Sequence, residues 1–429
     1  MKRRDFLNAL GKTAGLTSLA SFLPWSTALR AEPYTGTFFV TIAAKGGWDV
    51  SSFCDPKENS EEQIINNWST DGGVIQTLSG SPITHAPWAR NSGFFQNYAD
   101  SMLVINGIDL QTHLHNKGER YMWSGRRYAG YPSFTALTAK IYGDHLPLAY
   151  VTNGGYHETA GLTSYSVLND METIKQLLHN NQVTTEGGER YFYPDELDLV
   201  YQYQRARLER VLTDTSLLPK TRRQYEMLYN VRANQASLDA LDATLPESLV
   251  SPIDQDGLDN NLLPQVQMAL AAYQAGLCVS ADLILDGFDT HANHDTAHEN
   301  SLRRLTNGIE YLWQSAEAMG IADNLLLFIT SELSRAPYYN EENGKDHWSI
   351  GSAIFMQKGA TWGNRVIGLT DDTLKPLPIN ESTFEMDAQG VLLNASHIHH
   401  ALRTLAGIND HSITNQYPLD GDFIDFFST

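Results

Sequence analysis

The densest group of potential metal ligands lies in a short loop between residues 286 and 295. The loop contains these carboxylate and imidazole side chains: Asp286, Asp289, His291, His294 and Asp295. A mixture of carboxylate oxygen and imidazole nitrogen suits zinc, manganese or iron better than calcium or magnesium alone. A polar loop with a few surface histidines is the alternative interpretation, and a single Asp-x-His would favour it. Ligand-bearing strand ends elsewhere in the chain make us favour a metal site.

A predicted strand and a predicted helix flank this loop and would hold it in place. Residues 281–285 are an apolar run short enough for a buried strand, and Gly287 then breaks the run. Residues 296–319 have the pattern of a long helix. Ligands between the end of a buried strand and the start of a helix are typical of sites in open α/β sheets.

A further candidate ligand, Asp49, follows another predicted strand. Residues 37–44 are rich in β-branched and aromatic side chains, which favour a strand. Gly46 and Gly47 permit a tight turn that leaves Asp49 at the C-terminal end of this strand. An aspartate in a turn is often a structural cap, so Asp49 gains weight only together with the other groups.

More candidates follow the strand that is predicted over residues 324–330. Glu332 and Arg335 come directly after it, and Asp346 and His347 follow a short loop. The planar guanidinium of Arg335 suits a tetrahedral oxyanion, although a structural ion pair with Glu332 or another acid is the alternative. The candidate metal ligands are therefore Asp49, Asp289, His291, His294, Glu332, Asp346 and His347.

A histidine-bearing loop follows the strand predicted over residues 102–107. Thr112, His113 and His115 lie just ahead of a helix predicted over residues 117–123. Backbone amides at a helix start bind anions, so the hydroxyl of Thr112 could be a nucleophile held close to a phosphate or sulfate. Thr112 could equally cap the helix. Both roles stay open, and His113 and His115 are further site candidates.

The alternation of strands and helices predicts an α/β fold with a doubly wound, mostly parallel sheet flanked by helices. Further strands are expected at residues 148–151, 352–356 and 365–369, and further helices at residues 133–142, 263–275 and 392–405. Residues from about 190 to 262 predict a helical insertion with breaks near Pro219 and Asn230, and their apolar stripe indicates core packing. We expect one domain over residues 32–429.

The N-terminal segment has the pattern of a twin-arginine export signal. Arg3 and Arg4 precede a weakly apolar run over residues 9–23, and residues 26–28 resemble a cleavage site. The run is too short and too polar for a membrane span. We therefore assign residues 1–31 to a signal peptide and expect no transmembrane segment in the mature chain. The twin-arginine translocase would be a transient partner, and the mature protein would work in the periplasm or outer envelope.

Composition and missing motifs exclude several classes of function. The chain of 429 residues has a formal net charge of −20, which argues against a nucleic-acid binder. The two cysteines, Cys54 and Cys278, could pair or stay as buried thiols, but no Cys-x-x-Cys pair supports a thiolate metal site. Neither Gly-x-Gly-x-x-Gly nor a Walker loop occurs, so a nucleotide cofactor lacks support.

The candidate groups, taken in order, resemble an uncharacterised family of exported bacterial proteins. The family pattern is roughly GGxD, a histidine-bearing loop, DTH, SEFGR and DHG. The matching segments here are Gly46-Gly47-Trp48-Asp49, His113 with His115, Asp289-Thr290-His291 with His294, Ser331-Glu332-Leu333-Ser334-Arg335, and Asp346-His347. The resemblance covers nearly the whole mature chain, and the family is similar to the alkaline phosphatase and sulfatase superfamily.

The superfamily resemblance implies a site for one or two divalent ions, with zinc expected first and manganese or iron as alternatives. Asp49 matches the carboxylate of an early strand. Asp289, with His291 or His294, matches ligands of one ion, and His347 would complete that set.

The second ion and the nucleophile depart from the superfamily pattern. Glu332 keeps a carboxylate for a second ion, but Leu333 stands where that pattern has a histidine. Thr112 is the candidate nucleophile, although an alignment anchored on Gly125 places Leu114 near the usual hydroxyl. The chain could therefore use metal-activated water.

Three functions follow from these observations. The first is a metal-dependent hydrolase of phosphate or sulfate esters, acting on a small molecule or a glycan. The second is a non-catalytic envelope protein that binds a metal, a glycan or a partner protein on the same fold. The third is a copper oxidase, suggested by His113 and His115 and by His397 and His399. It is disfavoured because neither cysteine lies near His397 in the sequence.

Overall fold

The segment FFVTIAAK forms β1, an interior strand of the main sheet in the computed structural model. The structure describes residues 32–179, 181–183, 189–233 and 235–428. The expected signal peptide, residues 1–31, lies outside the described residues. Across the part that is described, no helix combines the length and the apolar character needed to cross a membrane.

The strands and helices alternate along most of the chain. The strands are β1 (Phe38–Lys45), β2 (Gln76–Thr77), β3 (Thr84–His85), β4 (Met102–Asp109), β5 (Tyr150–Thr152), β6 (Ser280–Asp286), β7 (Leu325–Thr330), β8 (Ser334–Arg335), β9 (His347–Trp348), β10 (Ile350–Met356), β11 (Arg365–Ile367), β12 (Leu369–Thr370) and β13 (Pro376–Leu377). The α-helices are α1 (Asn67–Thr70), α2 (Asn91–Tyr98), α3 (His115–Ser124), α4 (Phe134–Gly143), α5 (Met171–Leu178), α6 (Pro194–Leu212), α7 (Pro219–Ala233), α8 (Gln235–Thr244), α9 (Leu262–Gln274), α10 (His294–Ala318) and α11 (Ala395–Leu405).

Seven of these strands form one sheet in the order β11-β4-β10-β7-β1-β6-β5. β1 is parallel to both of its neighbours, and β10 is antiparallel to β4 and β7. β5 and β11 are parallel to the strands beside them. The expected α/β class with a mostly parallel sheet is therefore confirmed.

Both faces of the sheet are buried, as β1 shows. Phe38, Val40 and Ile42 belong to one apolar core, whereas Phe39 and Ala43 belong to the core on the opposite face. Side chains alternate across a strand, so a continuous apolar run can supply two cores at once. This explains why the strands are apolar throughout instead of alternating between apolar and polar residues.

The segment predicted over residues 365–369 forms two short strands instead of one. Gly368 lies between β11 and β12 with φ of 79°, a left-handed conformation that interrupts an extended strand. A Cβ at this position would also lie 2.1 Å from the carbonyl oxygen of Asn106. The break therefore follows from a close backbone approach that strand propensity does not report.

The expected helical segment forms α6, α7 and α8. Pro194 is the first residue of α6, where proline loses no hydrogen bond, and Pro219 begins α7 after the predicted break. α6 and α7 pack against each other, and α8 packs against α9. The limits of the insertion and the division into domains stay predictions.

Candidate metal centre

The strand ends that the sequence singled out meet at one edge of the sheet. β6 and β7 lie on either side of β1, and all three run in the same direction. Their C-terminal loops therefore start side by side, as the register pair Lys45 and Asp286 shows. This arrangement brings residues 46–49, 287–291 and 331–335 together.

A cluster of His115, Asp289, His291 and His347, called here the histidine cluster, lies at this edge. Asp289 Oδ1 lies 3.6 Å from His115 Nε2, 3.1 Å from His291 Nε2 and 3.2 Å from His347 Nε2. His291 Nε2 and His347 Nε2 are 3.0 Å apart. Ligand atoms of His115, Asp289 and His347 all lie within 4.8 Å of one another.

Each imidazole of the histidine cluster has its outer nitrogen beside an oxygen atom. His115 Nδ1 lies 2.8 Å from Glu332 Oε1, and His291 Nδ1 lies 3.0 Å from Asp346 Oδ1. His347 Nδ1 lies 2.8 Å from the carbonyl oxygen of residue 113. A carboxylate or carbonyl oxygen accepts hydrogen bonds, so each Nδ1 can donate its proton to that oxygen, and in the neutral ring each Nε2 then presents a lone pair on the side of Asp289.

This tautomer pattern makes the cluster suited to a cation. Two Nε2 lone pairs that face each other at 3.0 Å, those of His291 and His347, repel unless a metal ion or a proton lies between them. His115 Nε2 is buried and, among the described residues, has no hydrogen-bond partner. Tetrahedral zinc places neighbouring ligand atoms about 3.3 Å apart, close to the separations found here. His115, Asp289 and His347 could therefore hold a metal ion.

Glu332 and Asp346, which we expected among the ligands, contact the Nδ1 atoms of cluster histidines instead of facing Asp289. Glu332 is 1% exposed, and its Oε1 also accepts from the backbone amide of Gly46 at 2.8 Å. The hydrogen bond from His291 lowers the pKa of Asp346. Carboxylates in this position fix the tautomer and orientation of a metal-binding histidine and raise its basicity.

Arg335 is fully buried and holds Asp289. Its Nη2 lies 2.6 Å from Asp289 Oδ1, and its other N–H groups donate to the carbonyl oxygens of Gly46, Gly47 and Lys345. Burial raises the pKa of Asp289, but the hydrogen bond and charge of Arg335 outweigh this effect, so the pKa is lowered. The structure thus places Arg335 as an ion-pair partner of Asp289, which was the structural alternative.

Thr112 lies ahead of α3 with its hydroxyl turned to the backbone. Thr112 Oγ1 accepts a hydrogen bond from the amide of Leu114 at 3.1 Å, and Leu114 is the N-cap residue of α3. The hydroxyl therefore stabilises the turn that leads into the helix, but it does not cap α3, because the N-cap position has no side-chain hydrogen bond. His113 lies at the same edge of the sheet as the histidine cluster, because its Nδ1 is 3.2 Å from the carbonyl oxygen of His347.

Asp49 and His294 lie in a separate group, called here the buried network, together with Lys345, Asn66, Ser51, Ser52, Thr290 and His298. Asp49 Oδ2 lies 2.6 Å from Lys345 Nζ and 3.0 Å from His294 Nε2. Burial alone raises the pKa of Asp49, but Lys345 and His294 hold that pKa well below its usual range. The structure does not bring Asp49 or His294 to the histidine cluster.

The proton positions in the buried network follow from one backbone amide. The amide of Asp49 donates to His298 Nε2 at 2.8 Å, so His298 carries its proton on Nδ1, 3.1 Å from Thr290 Oγ1. The hydroxyl of Thr290 then donates to His294 Nδ1 at 2.7 Å, and His294 Nε2 donates to Asp49. Burial lowers the pKa of both histidines, consistent with this neutral ring.

The remaining loop carboxylates have other partners. Asp295 accepts from the hydroxyl of Tyr339 at 2.6 Å and from the side-chain amide of Asn67 at 2.7 Å. Asp286 is exposed at the end of β6, and Arg304 donates to its carbonyl oxygen at 3.0 Å. Of the carboxylates in the loop, Asp289 thus joins the histidine cluster.

Lys345 and His298 were missed by sequence reasoning. A lone lysine in a glycine-containing loop normally indicates a solvated side chain, yet Lys345 is fully buried. His298 carried a signal, because His294 and His298 are spaced four residues apart and therefore share a face of α10.

The cysteines and the C-terminal histidines take no part in either group. Cys54 and Cys278 are both buried and free, so they form no disulfide. His399 Nε2 bonds to the carbonyl oxygen of Met122 at 2.8 Å, and the amide of Asn394 donates to His397 Nδ1 at 3.3 Å. Because His397 and His399 are bonded to the backbone, they do not support the copper interpretation as a second histidine pair.

The fold and the site together define an α/β protein with a histidine and carboxylate cluster at its parallel strand ends. The chain belongs to the family described as "Protein of unknown function (DUF1501)", whose model matches residues 39–417. This match confirms the expected membership of an uncharacterised family. The individual motifs and the export route stay predictions. The comparison with curated proteins returned no match.

Solved structures similar to this chain are phosphatase- and sulfatase-type hydrolases. The alkaline phosphatase from the Antarctic bacterium TAB5 has 10% identity over 88% of this chain and 99% of that chain, with a TM-score of 0.39. The PsFucS1 sulfatase from Pseudoalteromonas sp. has 9% identity over 91% and 72%, with a TM-score of 0.41. The phosphonate monoester hydrolase of Agrobacterium radiobacter has 10% identity over 88% and 74%, with a TM-score of 0.31. With TM-scores this low, the likenesses carry no argument about activity.

Proposed function

We propose that this protein is a metal-dependent hydrolase of phosphate or sulfate esters, with a zinc-class ion held by the histidine cluster. The observation that carries the proposal is the orientation of the three imidazoles. Each Nδ1 faces an oxygen atom, and each Nε2 lies within 3.6 Å of Asp289 Oδ1. Such an arrangement supplies one anionic and three neutral donors, a set that zinc, manganese and iron accept.

The protein's own groups would hold the ligands and their charges in place. Arg335 keeps Asp289 ionised, and Glu332 orients His115. The side chains of Asp289 and His291 are 50% and 44% exposed, so solvent and a small ester can reach the cluster. When bound, a divalent ion would act as a Lewis acid toward a phosphoryl or sulfuryl oxygen and would favour deprotonation of water.

A cavity along α3, whose lining includes no residue of the histidine cluster, offers room for the organic part of a substrate. Its volume is about 480 Å³, and α3 connects it to the cluster because Asn116, the residue after His115, lines it. Glu119, one helical turn beyond His115, also lines the cavity and lies 3.6 Å from Lys45. An ester bound at the cluster could therefore extend along α3.

The compartment follows from the sequence. Arg3 and Arg4, with the apolar run after them, favour export by the twin-arginine route into the periplasm or outer envelope. That route carries folded proteins, which fits a chain that acquires its metal before export.

The experiment is an ester screen with purified protein and two cluster variants. Phosphate, phosphonate and sulfate esters would be tested with zinc, manganese or iron against the wild type, Asp289→Ala and His347→Ala. We expect turnover that requires metal and falls at least 100-fold in either variant. His179→Ala is the matched control, because His179 is also a histidine beside a carboxylate, 3.0 Å from Asp242. Turnover that is equal in wild type and both variants would contradict the proposal.

A non-catalytic metal-binding protein is the second candidate. Four protein donors are typical of structural zinc sites, whereas catalytic sites keep one position open. The hydroxyl oxygen of Thr112 also accepts a hydrogen bond from the amide of Leu114, which is a structural contact. Metal that binds at the histidine cluster without turnover of any ester would favour this candidate over the hydrolase.

A further inference from the structure

We propose that the ammonium group of Lys345 is an internal cation that occupies a second cation site, so that the protein uses one metal ion. The resemblance to two-metal enzymes leads one to expect that Asp49 is a metal ligand. The buried network instead places a positive charge beside Asp49 that belongs to the chain itself. The cation site in the buried network does not depend on the proposed hydrolase activity.

The ammonium group is surrounded by oxygen atoms. Lys345 Nζ lies 2.6 Å from Asp49 Oδ2, 2.8 Å from Asn66 Oδ1 and 3.3 Å from Ser51 Oγ. Lys345, Asp49, Asn66 and Ser51 are all fully buried. Lysine is rarely buried in this way, because a charge removed from water must be compensated by close partners.

The partners of the oxygen atoms show that their lone pairs point at the ammonium group. Asn66 Nδ2 donates to the carbonyl oxygens of Lys57 at 2.9 Å and Ser51 at 3.2 Å, which turns Asn66 Oδ1 toward Lys345. The hydroxyl of Ser51 donates to Asp49 Oδ1 at 2.6 Å, and its oxygen accepts from Asn66 Nδ2 at 3.2 Å and from Lys345 Nζ at 3.3 Å. Three acceptors aimed at one point form a site for a cation.

The donor set also indicates which metal ion would bind if the ammonium group were removed. One carboxylate, one amide oxygen and one hydroxyl are hard ligands, whereas His294 Nε2 carries a proton that it donates to Asp49 at 3.0 Å and so offers no lone pair. An all-oxygen set suits Mg²⁺ or Mn²⁺ better than a soft metal. Mn²⁺ is the useful probe because it accepts oxygen ligands and is paramagnetic.

The position of Lys345 in the chain links the cation to the histidine cluster. Lys345 directly precedes Asp346 and His347, and its amide donates to the carbonyl oxygen of Thr290 at 3.1 Å. Thr290 in turn lies between two members of the cluster, Asp289 and His291. The ammonium therefore ties the loop that carries His347 to Asp49, and the backbone amide of the same residue ties that loop to the one that carries Asp289 and His291. A dissociable ion would make the first of these links only while bound.

The test measures Mn²⁺ binding in a protein whose histidine cluster is disabled. The parent is His347→Ala, and the test protein is His347→Ala with Lys345→Ala. We expect the double variant to bind one more equivalent of Mn²⁺ than the parent, with an affinity at least tenfold higher than that of any Mn²⁺ binding by the parent. Titration calorimetry and the loss of the electron paramagnetic resonance signal of free Mn²⁺ measure this binding. Adding Asp49→Asn should abolish the new binding.

Lys57→Ala in the same parent is the matched control. The side chain of Lys57 is also paired with an aspartate, since its Nζ lies 2.9 Å from Asp55 Oδ1, and only the backbone carbonyl of Lys57 contacts the buried network. We expect no gain of Mn²⁺ binding there. A folded double variant that binds no more Mn²⁺ than the parent would overturn the proposal.

A second measurement decides the matter if removal of Lys345 prevents folding. Elemental analysis of the metal-loaded wild-type protein should give one equivalent of metal per chain. Two equivalents, with the second removed by Asp49→Asn and not by His347→Ala, would show that a metal ion shares the site with Lys345 and would refute the inference. Both readouts are independent of ester turnover, so failure of the hydrolase proposal would leave them unchanged.

Discussion

His115 and Glu332 are joined by a hydrogen bond in which His115 Nδ1 lies 2.8 Å from Glu332 Oε1. The hydrogen bond raises the pKa of His115, and the same carboxylate oxygen accepts from the amide of Gly46. One buried side chain thus connects α3, the turn after β1 and the end of β7. The position of a candidate ligand is therefore tied to the frame of the sheet.

Replacing Glu332 with glutamine should weaken metal binding. The amide keeps the size of the side chain and an acceptor oxygen, but it loses the negative charge that makes His115 a better donor. Loss of such an outer carboxylate typically costs 10- to 100-fold in metal affinity, so we expect at least about a tenfold increase in Kd. Competition with a zinc chelator measures this. Glu119→Gln is the control, because Glu119 lies on α3 with His115 but pairs with Lys45. Equal affinity in wild type and Glu332→Gln would show that Glu332 does not orient a ligand.

Gly118→Ala should disturb the same contact from the side of the helix. Gly118 is buried in α3, and a Cβ there would lie 1.9 Å from the carbonyl oxygen of Glu332. The helix must therefore shift away from the end of β7 and carry His115 with it. We expect weaker metal binding together with a lower Tm.

Gly93→Ala is the matched control for this substitution. Gly93 lies in α2, and no atom lies within 4 Å of the Cβ that alanine would add. Alanine has the higher helix propensity, so this variant should be stabilised by up to about 1 kcal/mol with unchanged metal affinity. If Gly118→Ala behaved in the same way, the close packing of α3 on Glu332 would be contradicted.

The ion pair of Asp49 and Lys345 should show strong coupling in unfolding experiments. Asp49→Asn or Lys345→Met alone leaves a buried charge without its partner, and breaking a buried pair typically costs about 3–5 kcal/mol. The double variant removes both charges and should be much more stable than the sum of the single losses predicts. Urea denaturation of the four proteins measures the coupling energy. Additive losses would mean that the two groups do not interact in the folded state.

Stability should fall as pH rises through the range in which Asp282 titrates. Burial raises the pKa of Asp282 to about 6, although hydrogen bonds from Thr41 and Tyr150 oppose the shift. The folded state therefore holds this proton more tightly than the unfolded chain. The associated stability is fully present below about pH 4 and is lost as pH rises through 6, with a magnitude of at most roughly 3 kcal/mol.

Asp282→Asn tests this dependence. Asparagine cannot ionise, so the variant should be more stable than wild type at pH 7.5, and the advantage should shrink toward pH 4.5. Denaturation midpoints at both pH values provide the measurement. Asp323→Asn, at an exposed carboxylate, is the control and should not alter the pH profile. A variant that loses stability equally at both pH values would assign Asp282 a purely structural role.

The strand ends and most candidate ligands could be predicted from the sequence, because both depend on local pattern. An apolar run that stops at a carboxylate and a glycine marks where a buried strand ends, as at Asp286 and Gly287. Parallel strands then bring such ends to one edge, as they do for the loops after β1, β6 and β7. His115 could be named in the same way, since it precedes a predicted helix.

The assignment of partners could not be predicted, because it depends on tertiary contacts. Whether Asp49 faces a metal or Lys345 depends on a contact between residues 296 positions apart. Nothing in the local sequence distinguishes a buried lysine from a solvated one. Glu332 likewise has the residue type of a ligand, and only its contact with His115 Nδ1 places it outside the donor set.

The most direct test of the central claim is the metal content of the protein purified without chelators or affinity metal. Elemental mass spectrometry should find about one equivalent of zinc, manganese or iron per chain. That metal should be lost in Asp289→Ala and in His347→Ala, and retained in His179→Ala. Folded wild-type protein that contains no metal, and takes up none when these ions are added, would contradict the account.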